Sequence, residues 1–155
     1  MVATELNRRF SADNSDGRFL TMVLCVLDTF EGRLIATVAG HPRPMVLRGQ
    51  NAVPVADHGG LPVAMFDDAK YEDLTVQLEP GDRVYLFSDG IVEQTSPSGG
   101  EEFGQKRLVD LLLADHAKDL SRVVTHGMDA LAGWAGGRRF ADDVSLVALE
   151  WIKPQ

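Results

Sequence analysis

Two short acidic motifs hold the side chains of this sequence that are best suited to chemistry. Asp89 lies in a Ser-Asp-Gly segment directly after an apolar run, and the pair Asp142 and Asp143 lies where the last apolar run begins. A carboxylate at the margin of a buried strand loses solvation and needs a partner. Oxygen ligands of this kind suit magnesium and manganese ions, which keep several bound waters. The two motifs therefore predict a divalent-cation site.

A purely structural role for the same residues also fits their spacing. In that interpretation Asp89 begins a turn, and Asp142 accepts hydrogen bonds from amides at a strand end. Gly90 suits both roles, because a residue without a side chain lets either the backbone or an ion approach closely. Spacing alone leaves the two interpretations open.

Other catalytic chemistries have less support. The sequence has no G-x-S-x-G nucleophile elbow, no Walker loop and no G-x-G-x-x-G segment. Arg138 and Arg139 precede Asp142, and they either bind a phosphate through their guanidinium groups or form a solvated charge pair. The histidines do not have the spacing of a zinc site. They are His41, His58, His116 and His126.

Composition and charge predict a cytoplasmic globular domain. The 155 residues carry a net charge of −8, with 45% hydrophobic and 25% charged residues. This length suits one domain with its own core, and the negative charge argues against binding nucleic acid or an anionic membrane through bulk electrostatics. No apolar run approaches the roughly 18 residues of a membrane span. Cys25 is the single cysteine, and its apolar surroundings predict a buried, unpaired thiol.

The elements that must position the acidic motifs are mixed strands and helices. The first part of the chain predicts a helix over 2–10 with Val2, Leu6 and Phe10 on one face, a turn over 11–17, a hairpin of buried strands over 19–28 and 33–40, a strand over 45–48 and a loop over 49–70. The second part predicts a half-buried strand over 74–78 paired with 83–88 through the turn 79–82, helices over 105–115 and 120–135, and a central strand over 143–151. This order indicates an α+β fold with antiparallel sheets.

A series of motifs in this order resembles the SpoIIE-like branch of the metal-dependent phosphatases, the protein phosphatase 2C superfamily. The motifs are AGHPRP, GLPVAM, EPGD, SDGIVE, EFG and the final DDVS. The resemblance implies an antiparallel β-sandwich flanked by helices, with a two-metal manganese or magnesium centre. It also implies hydrolysis of phosphoserine or phosphothreonine, typically on an anti-anti-sigma factor, by the output domain of a bacterial response regulator.

The resemblance assigns roles to four residues of this sequence. Asp89 matches the metal ligand of the family's (S/T)DG motif, and Asp142 matches the ligand of its DD-x-(S/T) motif. Asp143 and Glu93 match acidic positions that form hydrogen bonds around the metal ligands. No side chain is assigned as a catalytic acid, base or nucleophile.

The sequence also departs from the family pattern. Two further metal aspartates of the family, in GD and GDVSGHG motifs, have no counterpart, because Asp13 and Asp16 lie in a polar turn and Asp28 precedes a hairpin turn. The first helix has no N-cap. We therefore expect residues 1–155 to be the C-terminal part of a longer phosphatase domain, without its N-terminal strands. Ala64 stands in GLPVAM where the family usually has glycine.

Two functions stay open from the sequence. The chain is either part of a phosphatase, weak or inactive alone because two ligands cannot easily hold two ions, or an inert phosphatase-like adaptor that binds a sigma factor or a sigma-factor antagonist. An interaction domain unrelated to phosphate chemistry is a third, less supported option. Exposed strand edges would also permit a homodimer.

Overall fold

The computed structural model describes residues 2–10, 17–55 and 59–154. The helices in these residues are α1 (Val2–Arg9), α2 (Asp89–Val92), α3 (Gly104–Ala114) and α4 (Leu120–Trp134). The strands are β1 (Met22–Asp28), β2 (Arg33–Ala39), β3 (Met45–Arg48), β4 (Asn51–Val53), β5 (Asp73–Gln77), β6 (Arg83–Phe87) and β7 (Leu146–Glu150). The predicted α+β class with antiparallel sheets is confirmed. Two compact units are formed, the first by residues 1–44, 54–78 and 153–155 and the second by 45–53 and 79–152.

The first unit contains an antiparallel sheet in the order β1-β2-β5. The predicted hairpin is confirmed, with Asp28 opposite Arg33 at its closed end. The Asp28 Oδ1 accepts hydrogen bonds from the amides of Phe30 and Glu31, at 3.0 and 2.9 Å. Asp28 therefore stabilises the turn that it was predicted to precede. The predicted turn over 11–17, with Asp13 and Asp16, lies mostly outside the described residues.

The strand β1 is less buried than its sequence predicts. It lies at an edge of its sheet, and Val26 is 57% exposed. Cys25 is only partly buried, and this burial raises the pKa of its thiol. The apolar density of β1 correctly predicted a strand, but it could not show whether a neighbour would cover both faces.

The predicted pairing of the fifth and sixth strands is wrong. β5 pairs with β2, whereas β6 pairs with β3 and β7. The alternating burial predicted for β5 is confirmed, since Leu74 and Val76 are buried between exposed neighbours. The turn over 79–82 therefore connects two different sheets and does not close a hairpin.

Helix α1 packs through a polar residue. Asn7, which is 3% exposed, donates from Nδ2 to the carbonyls of Phe66 and Asp67, and its Oδ1 accepts from the Ala64 amide at 2.8 Å and from the Tyr71 hydroxyl at 3.1 Å. The predicted helix is confirmed. The face predicted to be apolar is not the buried one, because Asn7 and Ala3 are buried while Val2 and Phe10 are more than half exposed.

The same contact holds Ala64 in a strained conformation. Ala64 has φ of 67°, a left-handed backbone that costs a residue with a Cβ about 1–2 kcal/mol. Its methyl group is buried with those of Ala3 and Ala39. The departure from the family's glycine in the GLPVAM segment therefore coincides with a position that requires the conformation glycine adopts most easily.

Substitutions at Ala64 should have unequal effects on stability. We expect Ala64→Val to lower the free energy of unfolding by about 2–4 kcal/mol, because a β-branched side chain adds strain and crowding. Ala64→Gly should stay within about 1 kcal/mol of the parent, since relief of strain offsets the lost methyl contact. Urea denaturation measures both values, and equal stability of the two variants would contradict the strain.

The second unit contains a sheet in the order β4-β3-β6-β7. β3 pairs with β4, which lies in the predicted loop over 49–70, and with β6. β7 was predicted as a central strand but lies at the edge, where Val147 and Leu149 are 48% and 43% exposed. Its apolar residues were correct evidence for a strand and did not fix its place in the sheet.

Helices α3 and α4 complete the core of the second unit. Both agree with the predicted helices, and Gly136 and Gly137, which have positive φ, end α4. Asp119 occupies the N-cap of α4 without a side-chain capping bond. The buried core consists of residues from the sheet and the helices, namely Met45, Leu47, Tyr85, Phe87, Ile91, Phe103, Leu108, Leu112, Val123 and Leu131. Across the described ranges, no helix is both long and apolar enough to cross a membrane.

A buried carboxylate joins α4 to the loop before it and should make stability depend on pH. Burial by itself opposes ionisation of Asp115, but hydrogen bonds from Lys118 and His126 outweigh it, so the pKa of the Asp115 carboxyl is lowered. A lowered pKa in the folded state stabilises the fold above about pH 4, and this contribution is lost as the pH falls through the folded value. Asp115→Asn should therefore destabilise the protein more at pH 7 than at pH 3 in urea titrations. Asp110→Asn, at an exposed position, is the matched control, and an equal loss at both pH values would refute the effect.

Candidate metal site

The pairing of β6 with β7 brings the two acidic motifs to one end of the sheet. Phe87, the last residue of β6, lies opposite Leu146, the first residue of β7. The ladder continues beyond both strands, because the Ser88 amide donates to the Ser145 carbonyl at 3.0 Å. Asp89, which follows the end of β6, therefore lies at the same end of the sheet as Asp142 and Asp143, which precede β7.

The backbone at Gly90 passes very close to the second motif. A Cβ atom placed on Gly90 would lie 2.5 Å from the Asp143 carbonyl oxygen and 3.4 Å from the Cβ of Asp142. Contacts of 2.5 Å are too short for a real side chain. The glycine of the Ser-Asp-Gly motif is therefore required by this close approach, as the sequence suggested.

Two side chains, those of Ser88 and Gln94, hold the segment before β7 through hydrogen bonds. The Ser88 hydroxyl donates to the Asp143 carbonyl and accepts from the Ser145 amide, both at 2.9 Å. Gln94, which is 5% exposed, accepts from the Ala141 amide through Oε1 at 3.0 Å. Sequence reasoning did not identify Ser88 or Gln94, because their partners are distant in the chain. The only local signal was the presence of a hydroxyl directly before Asp89.

The carboxylates of Asp89 and Asp142 each retain free acceptor capacity. Asp89 Oδ1 accepts from the Gly90 amide at 2.9 Å, and Asp142 Oδ1 accepts from the Asp143 amide at 2.7 Å. Within the described ranges, neither carboxylate has a lysine, arginine or histidine partner, and the second oxygen of each has no hydrogen bond. Two such carboxylates at one sheet end fit a divalent cation, which prefers oxygen ligands.

The remaining predicted residues are placed differently. Asp143 is exposed, and its carbonyl, not its carboxylate, makes the contact with Ser88. Glu93 is exposed at the C-cap of α2, where its amide donates to the Asp89 carbonyl at 2.9 Å. Arg138 and Arg139 are exposed. The short helix α2, which directs the chain away from Asp89, was not predicted.

The described residues bring two candidate ligands to this end of the sheet. Over 2–10, 17–55 and 59–154, no three His, Cys, Asp or Glu side chains are grouped so as to hold a metal ion. Asp13, Asp16 and His58 lie outside these ranges. The fit to a metal centre therefore rests on the pair Asp89 and Asp142.

The fold is similar to those of solved phosphatase 2C-type domains. The RsbU and RsbW domains of Rv1364c from Mycobacterium tuberculosis match 96% of this chain with a TM-score of 0.75, at 23% identity and over 40% of that chain. The SiaA-PP2C domain of Pseudomonas aeruginosa also matches 96%, with a TM-score of 0.73, at 19% identity and over 69% of that chain. The phosphatase domain of SpoIIE from Bacillus subtilis matches 87%, with a TM-score of 0.67, at 18% identity and over 60% of that chain.

The chain belongs to the SpoIIE family, since the profile of Stage II sporulation protein E (SpoIIE) matches residues 1–152. The resemblance stated from the motifs is thereby confirmed. Protein IcfG of Synechocystis sp. is 24% identical over 131 residues, which is 84% of this chain and 20% of that protein. The chain thus spans about a fifth of this curated relative and 60% of the SpoIIE phosphatase chain.

Proposed function

We propose that the chain contributes Asp89 and Asp142 to the metal centre of a protein phosphatase acting on phosphoserine or phosphothreonine. The observation that carries the proposal is the close approach of the Ser-Asp-Gly and Asp-Asp motifs at one end of the β6–β7 pair, where neither Asp89 nor Asp142 has a cationic partner among the described residues. Asp142 is exposed and Asp89 is only partly buried, so the partner that the sequence led us to expect for a desolvated carboxylate is not required by burial, and both carboxylates are open to an ion from solvent. Membership of the SpoIIE family supports the reaction class.

The residues of the chain have separate tasks in this proposal. Asp89 and Asp142 would hold manganese or magnesium, and Gly90 keeps the space between their backbones free. A bound divalent cation lowers the pKa of a coordinated water and so supplies a nucleophile near neutral pH. Asp143 and Glu93 are proposed to support the ligands through hydrogen bonds to water.

The proposal also covers the biological setting. The domain would act in the cytoplasm as the output of a response regulator, on an anti-anti-sigma factor or a similar phosphoprotein. We further propose that residues 1–155 form one family domain that lacks N-terminal strands. Two carboxylates cannot easily hold two ions about 3.5–4 Å apart. We therefore expect little hydrolysis of para-nitrophenyl phosphate by the chain alone.

Metal binding by the isolated chain tests this proposal. Titration of the ¹⁵N-labelled protein with Mn²⁺ should broaden the amide signals of residues 89–91 and 142–145 first, because paramagnetic relaxation is strongest near the ion. The double variant Asp89→Asn, Asp142→Asn should lose this localised broadening. An Asp28→Asn variant is the matched control, since Asp28 lies in a turn of the first unit. Broadening that is centred elsewhere, or that survives in the double variant, would refute the site.

An adaptor function is the second candidate. Phe10, Phe19 and Leu20 are 57%, 56% and 53% exposed, and with Val63 they line an apolar groove of about 300 Å³ in the first unit. Clustered exposed apolar groups are typical of interaction sites. An adaptor would bind a sigma factor or a sigma-factor antagonist equally well with Asp89→Asn and lose binding with Phe19→Ser. A phosphatase would instead lose turnover with Asp89→Asn and keep it with Phe19→Ser.

A further inference from the structure

Ser88 joins the two strands that carry the acidic motifs. Its amide donates to the Ser145 carbonyl at 3.0 Å, which continues the β6–β7 ladder. Its hydroxyl adds two bonds, one to the Asp143 carbonyl and one from the Ser145 amide, both at 2.9 Å. A single side chain thus uses both its donor and its acceptor capacity on the segment that follows Asp142.

The place of these bonds matters for the geometry of the carboxylates. Ser88 directly precedes Asp89, and Asp143 directly follows Asp142, so the Ser88–Asp143 bond connects the immediate neighbours of both candidate ligands. Asp142 and Asp143 are both exposed residues. A segment at the surface needs such bonds to keep one position, because solvent can replace weaker contacts.

We propose that Ser88 is a positioning residue that holds Asp142 in place beside Asp89 for the shared cation. This inference rests on the proposed function. Gln94 anchors the chain at Ala141 independently, and the backbone bond from the Ser88 amide does not need the hydroxyl. Removal of the hydroxyl therefore releases the Asp142 segment locally and leaves the fold intact.

The side-chain carboxyl carbons of Asp89 and Asp142 give a local readout. In a Mg²⁺ titration of the ¹³C-labelled wild-type protein, both carbons should shift with one apparent Kd. Ser88→Ala should raise this Kd about tenfold, which is the lower end of the loss in metal affinity seen when a residue that orients metal ligands is removed. The chemical shift of the Asp142 carbon should then no longer change in parallel with that of the Asp89 carbon. Ser88→Thr keeps a hydroxyl and should restore the common Kd. Ser98→Ala, in an exposed loop, should behave like wild type.

The outcomes separate the inference from the proposed function. If neither carbon shifts in the wild-type protein, the metal site is refuted, and this inference with it. If both shift together in Ser88→Ala with an unchanged Kd, the positioning role is refuted and the metal site stands. Thermal melts show whether Ser88→Ala folds.

If Ser88→Ala does not fold, hydrogen exchange of the wild-type protein decides. The Ser145 amide donates to the Ser88 hydroxyl and should exchange at least tenfold more slowly than an unstructured peptide. Exchange at the unstructured rate would overturn the positioning role.

Discussion

Replacing Asp82 with alanine is expected to lower the free energy of unfolding by about 2–4 kcal/mol. Asp82 is 1% exposed and accepts from the Glu79 amide at 2.8 Å. The guanidinium of Arg48 also donates to both carboxylate oxygens of Asp82, from Nε at 2.9 and 3.2 Å and from a terminal nitrogen at 2.7 Å. Without the carboxylate, the turn before β6 loses its side-chain acceptor.

Thermal and urea denaturation measure this effect. A loss of this size should lower the Tm by about 5–15 °C in a protein of this length. Asp110→Ala, which removes an exposed carboxylate paired with Lys106, should change the Tm by less than about 2 °C. Similar Tm values for the two variants would show that the buried network contributes nothing specific.

Asn7→Ala is expected to have an effect of comparable size, about 2–4 kcal/mol. The change leaves the Ala64 amide without its acceptor and the Tyr71 hydroxyl with only the long contact of 3.5 Å to the Pro62 carbonyl. A buried polar group that loses its partner costs about 1–3 kcal/mol. The helix α1 should consequently detach from the segment around Ala64 before the remaining protein unfolds.

The exposed Asn51 at the start of β4 provides the control for Asn7. Asn51→Ala should leave urea denaturation nearly unchanged. Limited proteolysis adds a local readout, because cleavage within α1 should accelerate in Asn7→Ala only. Unchanged proteolysis together with unchanged stability would show that the polar contacts of α1 are replaced by water at no cost.

Local features of the fold could be predicted from the sequence. The spacing of Leu108 and Leu112, and of Val123 and Leu131, gave two helices, because helical periodicity is a property of a short segment. The hairpin of β1 and β2 has a short connection after Asp28 and was predicted for the same reason. The pairing of β5 with β2, and of β6 with β3 and β7, was not predictable. Pairing between distant strands depends on the packing of the whole unit.

The candidate site shows the same limit. Asp89 and Asp142 could be proposed from their motifs, and their roles as metal ligands stay predictions. Ser88 and Gln94 could not be found, since the bond from Ser88 to Asp143 spans 55 positions and that from Gln94 to Ala141 spans 47. The buried face of α1 was predicted wrongly because Asn7 is polar, and the sequence does not show that its side chain finds hydrogen-bond partners in the interior.

The pairing of β6 has a consequence for the rate of folding. Tyr85 pairs with Met45 on one side and Arg83 pairs with Glu150 on the other, so both neighbours must be brought from far along the chain. Closing such loops costs chain entropy before any contact forms, and non-local pairing slows folding. The hairpin of β1 and β2, whose strands are adjacent, can form within about 1–10 μs. In stopped-flow refolding, the four-stranded sheet should therefore acquire its protection against hydrogen exchange after the hairpin.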